Sequence, residues 1–317
     1  MALANSPARS APLDVPAKQP PHTGGKRRLR SRREAWTGLA FAAPALAVFA
    51  VFMLWPLVQV FWLSFQKTSG FGLSEFVGLG NFQEIMGDAV FWQALLNTSL
   101  YTLLSVPLCL VAGLGAALLL NRPLPGRGLI RAIFYMPAVI SGVSSALAAA
   151  WMFNADLGIV NKLLTLVGIG DVAWQSQGGP AMLSLIVVGL WIGLGFNMVV
   201  YLAALQGIPR ELYEAARVDG AGWWQTLRSI TIPSLAPTTF FLLVIGIINS
   251  FQVFDIVYVM TGGGPGNSTT MLVTYAYTAG FDQRRQGYAS AIGVVLYLIV
   301  LILTVVQWRL SRRRDAV

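Results

Sequence analysis

Asn249, Ser250, Gln252 and Asp255 interrupt one long apolar stretch, and Asn197 and Tyr201 interrupt the one before it. Amides, hydroxyls and a single carboxylate supply hydrogen-bond donors and acceptors, the chemistry by which a polar solute is held. Asn249, Gln252 and Asp255 follow at i, i+3 and i+6, which puts them within about 120° of one helix face. An acid inside such a stretch is a functional-site candidate. The competing reading is that these groups only hydrogen-bond neighbouring helices, and Asp255, near the end of its stretch, could instead reach water or cap the turn Thr261–Pro265. Asn197 and Tyr201 share a face at i, i+4, with Trp191 a turn or two away.

The remaining residues argue against catalysis by this chain. His22 is the single histidine and lies in a polar N-terminal segment, and Cys109 is the single cysteine. An intrachain disulfide is therefore impossible, and a metal cluster has no ligands to draw on; Cys109 reads as packing. A phosphate-binding loop needs G-x-x-x-x-G-K-[ST], yet the one Gly-Lys pair, Gly25-Lys26, is followed by Arg27. A membrane-embedded enzyme would need clustered His, Asp or Glu on adjacent helices, and the sequence offers no such cluster.

The elements that must position the polar groups follow from composition. Of 317 residues, 56% are hydrophobic and 11% charged, where a soluble domain carries about 25% charged residues; the mean hydropathy is +0.64. Lipid is the implied solvent, and the expected fold is an all-α integral membrane protein. Six runs reach the roughly 20 residues needed to cross the hydrocarbon core: 36–64, 95–120, 132–153, 181–205, 237–260 and 287–308. Gly113, Gly115, Gly193 and Gly195 are expected to let helices approach closely. Residues 1–34 hold five prolines and the cluster Lys26–Arg33, which reads as a disordered basic tail; residues 311–317 form a second, C-terminal basic tail. The first run is too long for a signal peptide and is expected to be retained.

With six spans, eighteen of the twenty-two Lys and Arg fall on the side shared by the termini, the 121–131 loop and the 207–236 loop. The net charge of +9 then reports orientation and contact with the lipid surface, with no nucleic-acid partner implied, and places both termini in the cytoplasm of a multi-pass protein in the cytoplasmic membrane. The loops 65–94, 154–180 and 261–286 are expected outside.

The 207–236 loop is a charged island between apolar runs. Pro209 suits the start of a helix, Glu211 and Glu214 complement its positive end, Ala215 and Ala216 extend it, and Gly220 ends it. After Gly222, Trp223, Leu227 and Ile230 recur at i, i+4 and i+7, predicting a second short helix that Pro233 breaks.

Glu214-Ala215-Ala216, three residues, Gly220, nine residues and Ile230-Thr231-Ile232-Pro233 resemble the EAA loop of permease subunits in binding-protein-dependent ABC importers; Ile232 stands where that family usually has Leu. The likeness extends to the carbohydrate branch, similar to maltose and glycerol-phosphate permeases. It runs through Phe76–Phe82, Asn97-Thr98, Arg131, Tyr135–Pro137, Gly158, Asn161, Leu205–Pro209, Phe254-Asp255 and Thr261–Pro265, within a permease domain of residues 35–310. The resemblance implies that Glu211, Glu214, Ala215, Ala216, Asp219, Gly220, Ala221 and Pro233 couple the chain to an ATPase. It further implies that ATP and magnesium bind on two partner ATPase subunits, with no cofactor on this chain, and that a second related permease and an extracytoplasmic substrate-binding protein complete the machine. A neutral sugar would suit the polar stripe; an ABC permease for a polyamine or amino acid, and an ion-coupled secondary transporter with broken helices, are the alternatives.

Overall fold

The computed structural model describes residues 24–314 except 71, 73 and 124, with side chains from 36 to 309; His22 and residues 315–317 lie outside the described residues. The chain forms two units, residues 1–57 and 58–317. In the first, α1 (Gly24–Phe49) begins within the basic cluster, so residues 24–34, expected to be disordered, are helical. Lys, Arg and Leu are good helix formers, which accounts for the difference. Side chains from Trp36 to Leu57 are all exposed, a surface suited to lipid. A π-turn at Ala50–Leu54 leads into α2 (Trp55–Leu63).

The second unit is almost wholly helical apart from a ribbon of β1 (Gln66–Lys67) and β2 (Glu75–Phe76). After α3 (Gly80–Gly87), Asp88 caps α4 (Ala89–Leu120) by accepting the Val90 N–H at 2.8 Å. Next come α5 (Arg127–Val139), α6 (Gly142–Met152), α7 (Ile159–Leu166) and α8 (Gly178–Gln206). The 207–236 loop holds α9 (Arg210–Val218) and α10 (Trp223–Ser234), followed by α11 (Ala236–Phe251), α12 (Asp255–Met260), α13 (Leu272–Tyr277) and α14 (Gln286–Arg314). Among the described residues, four helices are long and apolar enough to cross a membrane, or up to six spans if two bent pairs each count as one. This is an all-α integral membrane protein.

Two expected spans are broken. Residues 132–153 divide into α5 and α6, bent by 100°: Pro137 lies in the last turn of α5, and Ile140 and Ser141 are extended. Residues 237–260 divide at Gln252–Phe254, where the Gln252 and Val253 N–H groups turn back to the Asn249 and Ser250 carbonyls at 3.2 and 3.4 Å. The stripe expected on one helix face therefore does not exist as such: Asn249 and Ser250 end α11, Gln252 follows it, and Asp255 starts α12.

Buried side chains form three clusters. One joins α4, α8 and α11 near the 207–236 loop, around Met198, Tyr201, Leu205 and Leu235; a second joins α6, α8 and α12 near the opposite end of α8, around Leu185, Val257 and Met260. The third packs α3, α13 and α14 around Leu272 and Ile292. Small residues set the spacing as expected at Gly113, where a Cβ would lie 2.6 Å from that of Asn197, and at Gly195, where it would strike the Phe134 carbonyl; Gly115 instead faces open space.

Candidate functional site: a polar cavity and a charged loop

Between the first two clusters lies a cavity of about 540 Å³, a size that takes a small organic solute, lined by α4, α5, α8, α11 and the breaks in the bent helices. Asn197, Asn249, Ser250, Gln252 and Asp255 all border it. The break after Phe251 turns Gln252 and Asp255 to the same space, so tertiary structure gathers what a single helix face was expected to gather. Tyr201 does not border it: its side chain is 1% exposed in the neighbouring cluster, and its hydroxyl donates to Thr239 Oγ1 at 3.1 Å. Trp191 lies on the surface, 46% exposed.

Hydrogen bonding sorts the lining groups. Ser250 Oγ hydrogen-bonds Thr102 Oγ1 and the Ile247 carbonyl, both at 2.9 Å, so it ties α11 to α4. The Asn197 amide donates to the Gly193 carbonyl at 2.9 Å and to Cys109 Sγ at 3.2 Å. Cys109, expected to be packing, thus borders the cavity. Asn249, Gln252 and Asp255 have no side-chain hydrogen-bond partner among the described residues, and their free donors and acceptors face the cavity. The Asp255 carboxylate abuts Gly142, where a Cβ would collide with it. That places negative charge at the N-terminus of α6, the favoured end of its dipole.

Sequence reasoning missed Tyr101, Ser105, Tyr135 and Phe254 on the cavity wall. Ser141-Gly142 after Pro137 was the available signal for the α5/α6 break; nothing local marked Tyr101 or Ser105, which read as α4 interior. Among the described residues, no group of three or more His, Cys, Asp or Glu could hold a metal ion.

The 207–236 loop is a helix pair. α9 ends with the Ala221 N–H on the Ala216 carbonyl at 2.8 Å and the Gly220 N–H on the Arg217 carbonyl at 3.1 Å, with Gly220 at φ +74°; this is the paired bonding of a Schellman cap, and Gly is the residue that reaches it without strain. Ala216 is buried, Ala221 half-buried, and Glu211, Glu214, Ala215, Asp219 and Gly220 exposed. Tyr213 and Thr231 join the two helices through their hydroxyls at 3.2 Å. Pro233 is exposed and does not break the second helix. A π-turn at Leu227–Thr231 precedes it, the helix continues to Ser234, and the chain bends by 64° into α11. Pro233 stands two residues past the π-turn and one before the end of the helix.

At the other end of α8, asparagines lock the loops. The Asn97 amide donates to the Asn267 and Thr270 carbonyls at 2.9 and 3.0 Å. Asn81 donates to the Ser64 and Gln66 carbonyls at 2.8 and 2.9 Å, and Asn161 Oδ1 accepts the Trp174 indole N–H at 2.7 Å. Asp88 accepts hydrogen bonds from the hydroxyls of Tyr275 and Tyr288. Partial burial works against its charge, but these bonds and the Val90 and Phe91 amides outweigh it and hold the carboxyl below its ordinary range. Burial and the Asp88 carboxylate push the Tyr275 phenol up to about 12.

An all-helical membrane protein with a polar cavity and a capped surface helix pair is the build of a transporter subunit. Residues 109–316 match the family described as binding-protein-dependent transport system inner membrane component, and the chain belongs to that family. The trehalose/maltose transport system permease protein MalF of Thermococcus litoralis is 35% identical over 285 residues, 89% of this chain and 96% of that protein. The lactose transport system permease protein LacF of Rhizobium radiobacter is 38% identical over 283 residues, 87% of this chain and 94% of that protein. A crystal structure of a bacterial alginate ABC transporter, in complex with a periplasmic protein bound to an alginate pentasaccharide, matches with a TM-score of 0.79 at 27% identity, over 90% of this chain and 98% of that one. The chain is a permease subunit, a transport component.

Proposed function

We propose that this permease carries a carbohydrate into the cytoplasm as one half of the pore of an ABC importer. The unpartnered Asn249, Gln252 and Asp255 side chains in one cavity carry the reading: amides and a carboxylate beside aromatic rings suit a hydroxyl-rich ring. The names of the maltose and lactose relatives support the substrate class.

In this reading α5 with α6 counts as one span and α11 as another, giving six, with both termini and the 207–236 loop, α10 included, in the cytoplasm. Residues 35–310 form the permease domain, flanked by the basic segments 1–34 and 311–317. Glu211, Glu214, Ala215, Ala216, Asp219, Gly220, Ala221 and Pro233 form the coupling surface against two ATPase subunits, which hold ATP and magnesium. A second, related permease completes the pore, and an extracytoplasmic binding protein delivers the solute. Closure of the ATPases moves the loop; the Tyr213–Thr231 contact and the α10–α11 bend pass that movement to the cavity wall.

Broken helices are also the mark expected of an ion-coupled carrier, so the breaks alone do not separate the two; membership of the importer family favours ATP coupling. The test is reconstitution of the chain with its co-purifying subunits and binding protein. Maltose, trehalose or lactose is expected to stimulate ATP hydrolysis and to be taken up. Stimulation by amino acids or polyamines alone would overturn the substrate class.

A further inference from the structure

The cavity wall continues into a run of contacting aromatic rings. Phe254, which lines the cavity, lies 5.1 Å from Tyr258 with the rings only 17° from parallel, and 5.1 Å from Tyr277. Tyr258 and Tyr277 are 5.3 Å apart, and Tyr277 stacks on Phe281 at 4.9 Å and 28°. The run is assembled from two successive segments, the α11–α12 break with α12, and α13 with the π-turn that follows it. Two of its members are well exposed, Tyr258 at 45% and Phe281 at 68%, while Phe254 and Tyr277 are half-buried.

The outer end is set among water-seeking groups. Asp282, Gln283, Arg284 and Arg285 follow Phe281 directly and are all exposed, so the last ring stands beside a polar rim. Rings packed only for stability would be covered; Tyr258 and Phe281 instead leave aromatic surface open beside a polar rim. Aromatic faces attract the C–H faces of sugar rings weakly and without demanding one hydroxyl pattern, which suits passage better than storage.

The geometry points to Phe254, Tyr258, Tyr277 and Phe281 as an access path for ring-form carbohydrates, along which a sugar slides from the mouth to the hydrogen-bonding groups Gln252 and Asp255. This inference rests on the carbohydrate reading of the cavity. Because each rung binds weakly, the path raises the rate of capture while the cavity sets selectivity among sugars, and an acyclic polyol gains nothing from it.

The test uses the assembled transporter with its binding protein in proteoliposomes, and radiolabelled maltose, trehalose and lactose as probes. The double substitution Tyr277→Ala with Phe281→Ala is expected to lower kcat/KM for uptake by about tenfold. The ring-preserving pair Tyr277→Phe with Phe281→Tyr is expected to restore it, with basal ATP hydrolysis and subunit composition unchanged throughout. Uptake unaffected by the alanine pair, while the unaltered transporter carries at least one probe, would overturn the path and leave the carbohydrate reading intact. Loss of the second permease from the alanine variant would overturn it too, by making these rings a subunit contact. Failure of the unaltered transporter to carry any of the three sugars would remove the substrate reading and the path together.

Discussion

The 207–236 loop and the polar cavity are built in opposite ways. The loop is local: a proline, a short helix of 9 residues, a left-handed glycine and a second helix, with most of its distinctive side chains exposed. The cavity is assembled across more than a hundred positions in sequence, from Tyr101 on α4 to Asp255 on α12, and depends on the α5/α6 and α11/α12 breaks. A surface that must fit a partner can be written in one continuous stretch, whereas a space that must fit a solute takes its walls from wherever the fold brings them.

The contrast can be broken by substitution, starting where the largest effect is expected. Gly220→Trp places a bulky side chain at φ +74°, where no neighbour lies within 4 Å of a built Cβ. Backbone strain of about 1–2 kcal/mol and a side chain projecting into the proposed coupling surface should return stimulated ATP hydrolysis to the basal rate, with the chain still inserted and the cavity untouched. Stimulation at the unaltered level would show that the loop is a passive surface helix.

Next in size, Asn249→Ala with Gln252→Ala removes two unpartnered cavity groups. At about 1 kcal/mol for each hydrogen bond to solute, uptake efficiency should fall by roughly thirtyfold while basal hydrolysis persists. Unchanged kcat/KM would return these residues to the status of packing.

A smaller effect, on stability and not on transport chemistry, is expected at the asparagine locks. Asn97→Ala strips the donor from the Asn267 and Thr270 carbonyls and should cost roughly 1–3 kcal/mol, read as a lower melting temperature in detergent. The smallest effect concerns Asp88. Its folded carboxyl is held below the ordinary 3.8, so its contribution is fully present above that value and is lost as pH falls through the lower folded one. Thermal stability should therefore decline below about pH 4, and Asp88→Asn should flatten that slope; an identical slope in the variant would show that Asp88 plays no part.

How far each region could be read from sequence follows the same division. Pro209, Glu211 and Gly220 act on their own neighbours through helix-end chemistry, so α9 and its end were legible. Pro233 misled because its effect depends on the π-turn before it, which only the packed structure reveals. At the cavity, the residue types of Asn249, Gln252 and Asp255 signalled hydrogen bonding, but their shared helix face was an assumption of continuity that the break after Phe251 removes. Tyr201 sat at the right spacing from Asn197 and still points into the core, because spacing gives a face and not what the face meets. The motif asparagines Asn81, Asn97 and Asn161 stood out in sequence without a role; their partners lie on loops up to 173 positions away.

The central claim is that the loop drives and the cavity carries. Sugar uptake and ATP hydrolysis measured together in proteoliposomes, for Gly220→Trp and for Asn249→Ala with Gln252→Ala, test it most directly. The account predicts that the loop variant loses stimulated hydrolysis and uptake together, while the cavity variant keeps basal hydrolysis and moves less sugar per ATP. A loop variant that hydrolyses and transports at unaltered rates, or a cavity variant with an unaltered ratio of sugar to ATP, would contradict it.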